Sequence, residues 1–344
     1  MNIAYQCSNS FVGPLLVSIK SLLVNGKYDS LKIFILSKDF SKENLASVNE
    51  LIHSHGYKVD AEIIRIPDFE KDYGMKTDDF NGKWTPNSYV RLFLSDLLPK
   101  EIEKVLYLDS DVLILKDLNE LFDTNLEGYN AAACCDFLSE EYYKFLTLTD
   151  KDSYYNSGVI LFNLKECRAS KYVSKVVEEV NKRKGFVFFV EQSIFNIVEN
   201  NKILKLDAKY NLNTIALTLS EKQIDNLRKP INTYSSEEIK KAKEDTAILH
   251  MTTFFLVTNR AWFKKTNYKR KEVFREYALL TEHFSFYEDK RSIVKKGIDL
   301  VLKIIPKSIT CYLVGIYYRK NRIRKYIKYS SNKMKGEAKW KELS

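Results

Sequence analysis

Lys104-Val105-Leu106-Tyr107-Leu108-Asp109-Ser110-Asp111-Val112-Leu113-Ile114-Leu115 is the stretch that decides the fold. An apolar run of strand length delivers two carboxylates one residue apart and then turns apolar again. Buried ionised carboxylates cost roughly several kcal/mol unless something compensates them, and a cation is the usual compensator. Oxygen ligands at a strand end suit Mg²⁺ or Mn²⁺, ions commonly shared with nucleotide phosphates. The expectation is a metal–diphosphate site on an α/β protein. Asp-x-Asp alone is a weak signal, because Asp150-Lys151-Asp152 repeats it. That copy lies in a polar segment with no strand before it and reads as a solvated turn.

Upstream of this stretch, apolar strands alternate with helical patterns. Residues 2–7 predict a strand, 14–24 a helix, 31–36 a second strand and 58–66 a third. Between the last two, Ser41 caps a helix running to about His53, with Asn44 at the third helical position. This β-α-β-α-β rhythm implies a parallel sheet with right-handed crossovers, whose ligands bind at the carboxyl ends of the strands. Residues 67–84 are polar and irregular, long enough for a functional loop over that edge. Thr85-Pro86 then opens a helix whose apolar face is Val90, Phe93, Leu94, Leu97 and Leu98.

Downstream, 131–135 and 159–164 read as strands, 166–182 and 190–199 as helices, and 203–249 as mixed. At 344 residues and 45% apolar composition, the chain suits one large α/β domain with appendages. Five cysteines (Cys7, Cys134, Cys135, Cys167, Cys311) show no CxxC spacing and read as reduced core residues. Met1 to Tyr5 enters a strand directly, without the basic and apolar regions of a signal peptide.

Three further segments add to the carboxylate pair. Asn156-Ser157-Gly158 opens a strand and lets backbone and amide approach a ligand closely, though an ordinary turn has the same look. Glu191-Gln192-Ser193 opens an apolar helix, where the two side chains either cap the helix or face a site. His250, in Ala247-Ile248-Leu249-His250-Met251, is a satisfied core residue on its own; beside a carboxylate pair it supplies a third ligand, one that suits Mn²⁺ better than Mg²⁺.

In this order and spacing the segments resemble the family-eight retaining glycosyltransferases. The matching signatures are Ser88-Tyr89-Val90-Arg91-Leu92, residues 105–112, Asn156-Ser157-Gly158-Val159 with Asn163-Leu164, residues 191–196, and Leu249-His250. They cover roughly residues 1–265 and look most like bacterial α-galactosyl- and glucosyltransferases of lipo-oligosaccharide or capsule synthesis. The resemblance implies a GT-A fold, a Rossmann-like mixed, mainly parallel sheet flanked by helices. It implies a UDP-hexose donor (galactose or glucose) and a saccharide or lipid-linked saccharide acceptor. It also implies Mn²⁺, with Mg²⁺ as the alternative, held by Asp109, Asp111 and His250.

Carried over by position, Arg91, Asp136, Asn156 and Glu191 would bind the donor sugar. Gln192 would lie beneath its anomeric carbon, and Phe11 would stack on uracil. Asp109 and Ser110 belong to the same donor-binding set. The segment after the first strand departs from the pattern, so uracil selectivity falls to Ser8 or Asn9. After His250 the run to Trp262 is longer than in the family, and Arg260 is the candidate replacement for a diphosphate-binding lysine.

An ordinary retaining glycosidase uses a carboxylate nucleophile. An amide at Gln192 is a poor one, which favours front-face displacement with the leaving phosphate helping to deprotonate the acceptor. Covalent roles for Glu191 or Asp136 stay open.

Charge is placed unevenly. Residues 289–344 carry 16 Lys and Arg against four Asp and Glu, a net +12 in a chain of total +10, so residues 1–288 sum to −2. Residues 292–305 put Val294, Ile298, Val301, Ile304 and Ile305 on one face and Lys295, Lys296, Asp299 and Lys303 on another. A second apolar stretch, 309–318, precedes a basic run at 319–326. Neither reaches the roughly 18–20 residues that span a bilayer. The reading is a catalytic domain over 1–265 and a helical, basic, membrane-associating region over 266–344. The latter would hold a cytoplasmic protein against the anionic inner face of the cell membrane.

No recognition motif accompanies the charge, so nucleic acid is excluded as a partner. A sugar nucleotidyltransferase would need a Gly-rich basic loop that residues 7–14 do not supply. A non-catalytic membrane adaptor would explain the tail but not the carboxylate-Asn-Gln-His set.

Overall fold

The computed structural model describes residues 1–76, 86–185, 187–282 and 284–334. Among the described residues, ten strands in chain order are β1 Asn2–Gln6, β2 Lys32–Ser37, β3 Glu62–Arg65, β4 Lys104–Asp109, β5 Val112–Ile114, β6 Ala131–Cys135, β7 Tyr155–Asn163, β8 Ile203–Lys205, β9 Leu212–Asn213 and β10 Ile248–His250. Seven of them form one sheet in the order β3-β2-β1-β4-β7-β6-β8. β3 to β4 run parallel, β7 is antiparallel to both of its neighbours, and β8 is parallel to β6. The architecture is the expected mixed, mainly parallel sheet flanked by helices.

Both faces of this sheet are covered, which is why its strands read as continuous apolar runs. Ile3, Tyr5, Ile33 and Ile35 pack on one face with the helix Val12–Asn25. Ala4, Phe34 and Leu36 pack on the other with Tyr89, Val90 and Phe93. All five cysteines are free and buried. Ser41 caps the helix Lys42–His53 by accepting from Asn44 N.

Several expected boundaries moved. The third strand is short, Glu62–Arg65, at the sheet edge. Phe69–Tyr73 is helical within the stretch expected to be irregular, while residues 77–84 of that stretch and the Thr85 cap lie outside the described residues. From Pro86 the chain runs as a 3₁₀ helix to Phe93, and only Leu94–Leu97 is α-helical. Three residues per turn put Ser88 and Arg91 on one side, where Arg91 Nε donates to Ser88 O at 3.3 Å. The helix expected over 166–182 breaks at Ser170–Lys171, where Lys171 is left-handed (φ 54°).

The apolar run after Asp111 does not continue β4. It is β5, the edge of a separate three-stranded sheet ordered β5-β10-β9. Asp109-Ser110-Asp111 therefore bridges two sheets. The antiparallel register sets His250 opposite Val112, and Met251 N donates to Asp111 O at 2.9 Å. Strand pairing alone brings the histidine to the carboxylates across about 140 residues of sequence.

The C-terminal segment is helical over Ile293–Ile304 and Lys307–Ile316, continues as a π-helical turn Tyr317–Arg322, and ends as Ile323–Met334. One side packs inward. Cys311, Tyr318, Ile323, Tyr326 and Tyr329 are buried. At Gly315, a Cβ would come within 2.1 Å of Asn226 O on the helix Glu221–Arg228. Of the apolar positions expected on the first tail helix, Val301 and Ile304 are exposed and Ile305 is half-buried; the side chains of Val294 and Ile298 lie outside the described residues. Among the described residues, no helix is long and apolar enough to cross a membrane.

Candidate active site

Asp109, Asp111 and His250 present ligand atoms that all lie within 4.8 Å of one another. Each carboxylate has one oxygen committed to the protein and one facing the histidine. Asp109 Oδ1 is held by Arg91 Nη1 at 2.9 Å and by the Tyr107 hydroxyl at 2.7 Å, while Oδ2 lies 3.7 Å from His250 Nε2. Asp111 Oδ2 meets Arg260 Nη1 at 2.7 Å, and its Oδ1 lies 3.3 Å from the same Nε2. Burial alone would push the Asp111 carboxyl up, but Arg260 and His250 outweigh it and hold the group well below the ordinary carboxylate range. Burial would likewise lower His250, and Asp111 with Asp109 more than offsets it, so the ring is raised.

The backbone beside this cluster is glycine by necessity. A Cβ on Gly158 would approach His250 Cε1 to 2.2 Å and Asp109 Oδ2 to 2.9 Å.

Arg91 is buried and its donors are spent on the protein. Besides Asp109, it reaches Ser157 O at 2.8 Å, Gln6 Oε1 at 3.4 Å and Glu191 Oε1 at 3.8 Å. Its guanidinium lies over the Tyr107 ring at 4.6 Å. It works as a clamp on Asp109. Glu191 does not cap its helix; it is buried beside Arg91 and Ser157, and burial raises its carboxyl above the usual range.

Gln192, Asp136 and Asn156 form a second polar group. Ser157 N–H can only donate, and it lies 3.2 Å from Gln192 Oε1, which fixes the orientation of the amide. Asn156 Nδ2 donates to that same oxygen at 3.2 Å, and Gln192 Nε2 donates to Asp136 Oδ2 at 3.1 Å. Asn156 Nδ2 also reaches Asp136 Oδ2 at 3.1 Å. The helix Val190–Ile197 that carries Gln192 is entered through Phe189 (φ 56°) and Val190 (φ 49°). A left-handed β-branched residue is a backbone outlier, and such strain concentrates at functional sites.

A cleft of about 550 Å³ opens over the carboxylates and is lined by Gln6, Ser8, Phe11, Asp39, Arg91, Asp109, Ser110, Asp111 and Arg260, among others. Phe11 packs edge-on against Trp262, with ring centroids 5.3 Å apart, and Arg260 lies over the Trp262 ring at 5.2 Å. Ser110 donates to Gln6 O at 2.7 Å, tying the Asp-Ser-Asp turn to the end of β1. Asn9 does not line the cleft. Its Oδ1 accepts from Ser41 N at 2.8 Å and Asn44 Nδ2 at 2.7 Å, turned toward the neighbouring helix.

Sequence reasoning therefore brought most of its candidates to one place and missed three neighbours. Asp39 lies at the cleft mouth just beyond β2. Asn211 and Asn213 flank Leu212, and their side chains reach the site from β9 and the residue before it. The available signal was alternation: two asparagines either side of a leucine, in a run that is otherwise buried.

A sequence model of glycosyl transferase family 8 matches residues 2–264. The lipopolysaccharide 1,2-glucosyltransferase of Escherichia coli K12 is 24% identical over 340 residues, 93% of this chain and 92% of that protein. The lipopolysaccharide 1,3-galactosyltransferase of Salmonella typhimurium is 25% identical over 220 residues. That match covers 61% of this chain and 63% of the relative, just under two thirds of its length. Among solved structures, the galactosyltransferase LgtC in complex with donor and acceptor sugar analogues superposes with a TM-score of 0.67 at 20% identity, over 87% of this chain and 100% of that one. At that identity the likeness speaks for the fold, which is of GT-A type.

Proposed function

The chain belongs to glycosyl transferase family 8, and on that premise we propose that it moves a hexose, galactose or glucose, from a UDP-sugar to a saccharide acceptor of bacterial surface polysaccharide or lipo-oligosaccharide, with retention at the anomeric carbon. The observation that carries this reading is the convergence of Asp109 and Asp111 with His250, the two carboxylates lining the same cleft as Arg260, Ser8 and Phe11.

Two carboxylate oxygens and one imidazole nitrogen, each turned toward the others, fit a divalent ion, and the mixed O/N set suits Mn²⁺ better than Mg²⁺. When bound, that ion supplies Lewis-acid stabilisation to the leaving diphosphate. The chain's own residues do the rest. Arg260 stands where it can transfer its charge from Asp111 to the diphosphate. Arg91 and Tyr107 fix the metal-facing orientation of Asp109. Ser8 and Phe11 take the uracil end of the cleft. Gln192 offers a carbonyl oxygen, and Asp136 and Glu191 offer negative charge, to a sugar that gains positive character as its bond to phosphate breaks. Asn156 holds Gln192 in that orientation. An amide oxygen stabilises charge without being a good nucleophile, so front-face displacement is the favoured route.

Residues 1–265 are proposed as the catalytic part and 266–344 as the part that holds the enzyme on the anionic inner face of the cell membrane. Ile309, Leu313, Tyr317, Lys320, Arg324 and Ile327 recur at spacings of three or four and are all exposed. Leu300, Val301 and Ile304 add exposed apolar surface. An apolar stripe among lysines and arginines is the pattern of an interfacial anchor.

The test is release of UDP from a panel of UDP-sugars with Mn²⁺, with and without a saccharide acceptor. Asp109→Asn and Asp111→Asn should abolish that release while the thermal unfolding transition stays cooperative. Full turnover in either variant would remove the metal site, and no turnover with any UDP-sugar would remove the transferase reading in favour of a surface adaptor.

A further inference from the structure

Asn211 lies in none of the segments that mark the family, yet it makes the contact that decides what His250 can do. It is buried, 5% exposed, and stands between two polar groups. On one side its amide lies 2.9 Å from His250 Nδ1, and on the other 2.9 Å from Asn156 Oδ1.

Which atom faces which follows from one backbone group. Gly158 N–H can only donate, and it lies 2.9 Å from Asn156 Oδ1, so the Asn156 atom there is the oxygen. The Asn211 atom facing that oxygen must be a donor, which makes it Nδ2. The Asn211 atom facing the histidine is then its carbonyl oxygen, which only accepts. Nδ1 of His250 therefore carries a proton in either charge state of the ring, so when the ring is neutral Nε2 is the nitrogen left with a lone pair, on the side of Asp109 and Asp111. Metal-ligating histidines commonly have the second nitrogen engaged in this way, by a carboxylate, a carbonyl or a water.

We propose that Asn211 is a positioning residue that holds His250 in the Nδ1–H tautomer with Nε2 free for a metal ion, and that through Asn156 it joins this ring to the Gln192–Asp136 pair as one hydrogen-bonded unit. The proposal rests on the metal-site reading given above for Asp109, Asp111 and His250. It goes beyond that reading by linking two parts of the site that the motifs treat separately. The chain His250–Asn211–Asn156–Gln192–Asp136 runs without a break, and Asn213 Nδ2 closes its far end on Asp136 Oδ1 at 3.3 Å. Displacement of the imidazole is thereby felt at the amide beneath the sugar.

Two substitutions separate the two jobs. In Asn211→Leu both contacts vanish. In Asn211→Asp the carboxylate still accepts from Nδ1–H but has no N–H to give Asn156. The tautomer is read directly from ¹⁵N shifts and couplings of the imidazole in metal-free protein, at a pH where the ring is neutral. The chain has only four histidines, which keeps assignment simple. Wild type should show Nδ1–H at His250. Asn211→Leu should lose that signature and bind Mn²⁺ about 10–100-fold more weakly. Asn211→Asp should keep the tautomer and bind Mn²⁺ within a few-fold of wild type, yet lose about tenfold or more in kcat through the broken link to Asn156.

Nε2–H at His250 in wild type would overturn the proposal, and so would folded Asn211→Leu with wild-type Mn²⁺ affinity. If Asn211→Leu fails to fold, the wild-type tautomer and the metal-affinity-against-kcat split of Asn211→Asp decide it. Wild-type protein that shows Nδ1–H but binds no Mn²⁺ would instead remove the metal reading and with it the role given to Asn211.

Discussion

Arg260 and Asp111 form an ion pair of 2.7 Å, and the other oxygen of the same carboxylate faces His250 at 3.3 Å. One carboxylate is thus shared between a resident cation and a ligand cluster. Arg260 is about a third exposed, stacked beside Trp262, and lies at the cleft wall.

Replacing this guanidinium should separate two effects. Arg260→Met is expected to lower kcat/KM for the UDP-sugar by about 10²–10³-fold, the size of losing one preorganised charge at a leaving group. Mn²⁺ binding without nucleotide should strengthen, because Asp111 loses its internal partner. Steady-state UDP release and calorimetric Mn²⁺ titration measure the two; unchanged UDP release would remove Arg260 from the diphosphate site.

Gly158→Ala places a methyl group where His250 and Asp109 already stand. Overpacking of this kind costs about 1–3 kcal/mol of stability. The loss in metal affinity should exceed what the shift in unfolding midpoint alone accounts for, since the added atom points at ligands. Denaturant unfolding run beside Mn²⁺ titration checks this. A variant that is destabilised but binds metal normally would show the glycine to be a packing requirement only.

Glu191 gives a pH dependence with a definite sign. Burial raises its carboxyl in the folded protein, and Arg91 only partly counters this. The folded state therefore holds its proton to higher pH than the unfolded chain does, and stability falls as pH rises from the unfolded value through the folded one. Glu191→Gln, which is neutral throughout, should lack this component. Urea midpoints of metal-free wild type and variant should diverge in favour of the variant as pH rises from acid toward neutrality. Parallel curves would mean that Arg91 neutralises the carboxylate fully.

For the membrane proposal, deleting the tail is a poor test, because Cys311, Tyr318, Ile323, Tyr326 and Tyr329 are buried against the body. Replacing Leu300, Val301 and Ile304 together by serine removes exposed apolar surface alone. Each fully buried side chain of this size contributes about 1.5–3 kcal/mol, so co-sedimentation with anionic vesicles should fall at least tenfold. Donor hydrolysis without vesicles should be unchanged. Wild-type sedimentation in the triple variant would remove this face as the anchor.

How much of this was legible beforehand differs from part to part. Strand periods located β1, β2 and β6 nearly to the residue, because each is largely buried on both faces and bounded by polar turns. The division of the Asp-Ser-Asp stretch between two sheets was not legible, since β4 and β5 read as one apolar run. Only the pairing of β5 with β10 separates them. Arg91 was placed in the donor set by resemblance, but nothing local to it announces that its donors are consumed by Asp109, Ser157 and Gln6. Asn211 was invisible for the same reason. Its importance lies in partners 55 and 39 residues away.

Within the basic run 319–328 the only buried cation is Arg319; Lys320, Arg322, Arg324, Lys325 and Lys328 are exposed. Arg319 is buried and donates to Asn226 O at 2.6 Å, and Arg322 lies over the rings of Phe188 and Phe189 at 4.9 and 5.5 Å. Arg319 is thus spent in the interior, while Arg322 stays exposed over its rings.

The left-handed pair Phe189–Val190 has a cost that something must offset, and what presses on it comes from the far end of the chain. Tyr326 packs on Phe188 with ring centroids 4.0 Å apart, and Arg322 covers the two phenylalanines from the same helical segment. The last helices thus act as a splint on the turn that aims Gln192. A chain lacking them would lose the packing that holds this turn in place, so on the proposed reading of the tail its anchor and the setting of Gln192 would go together.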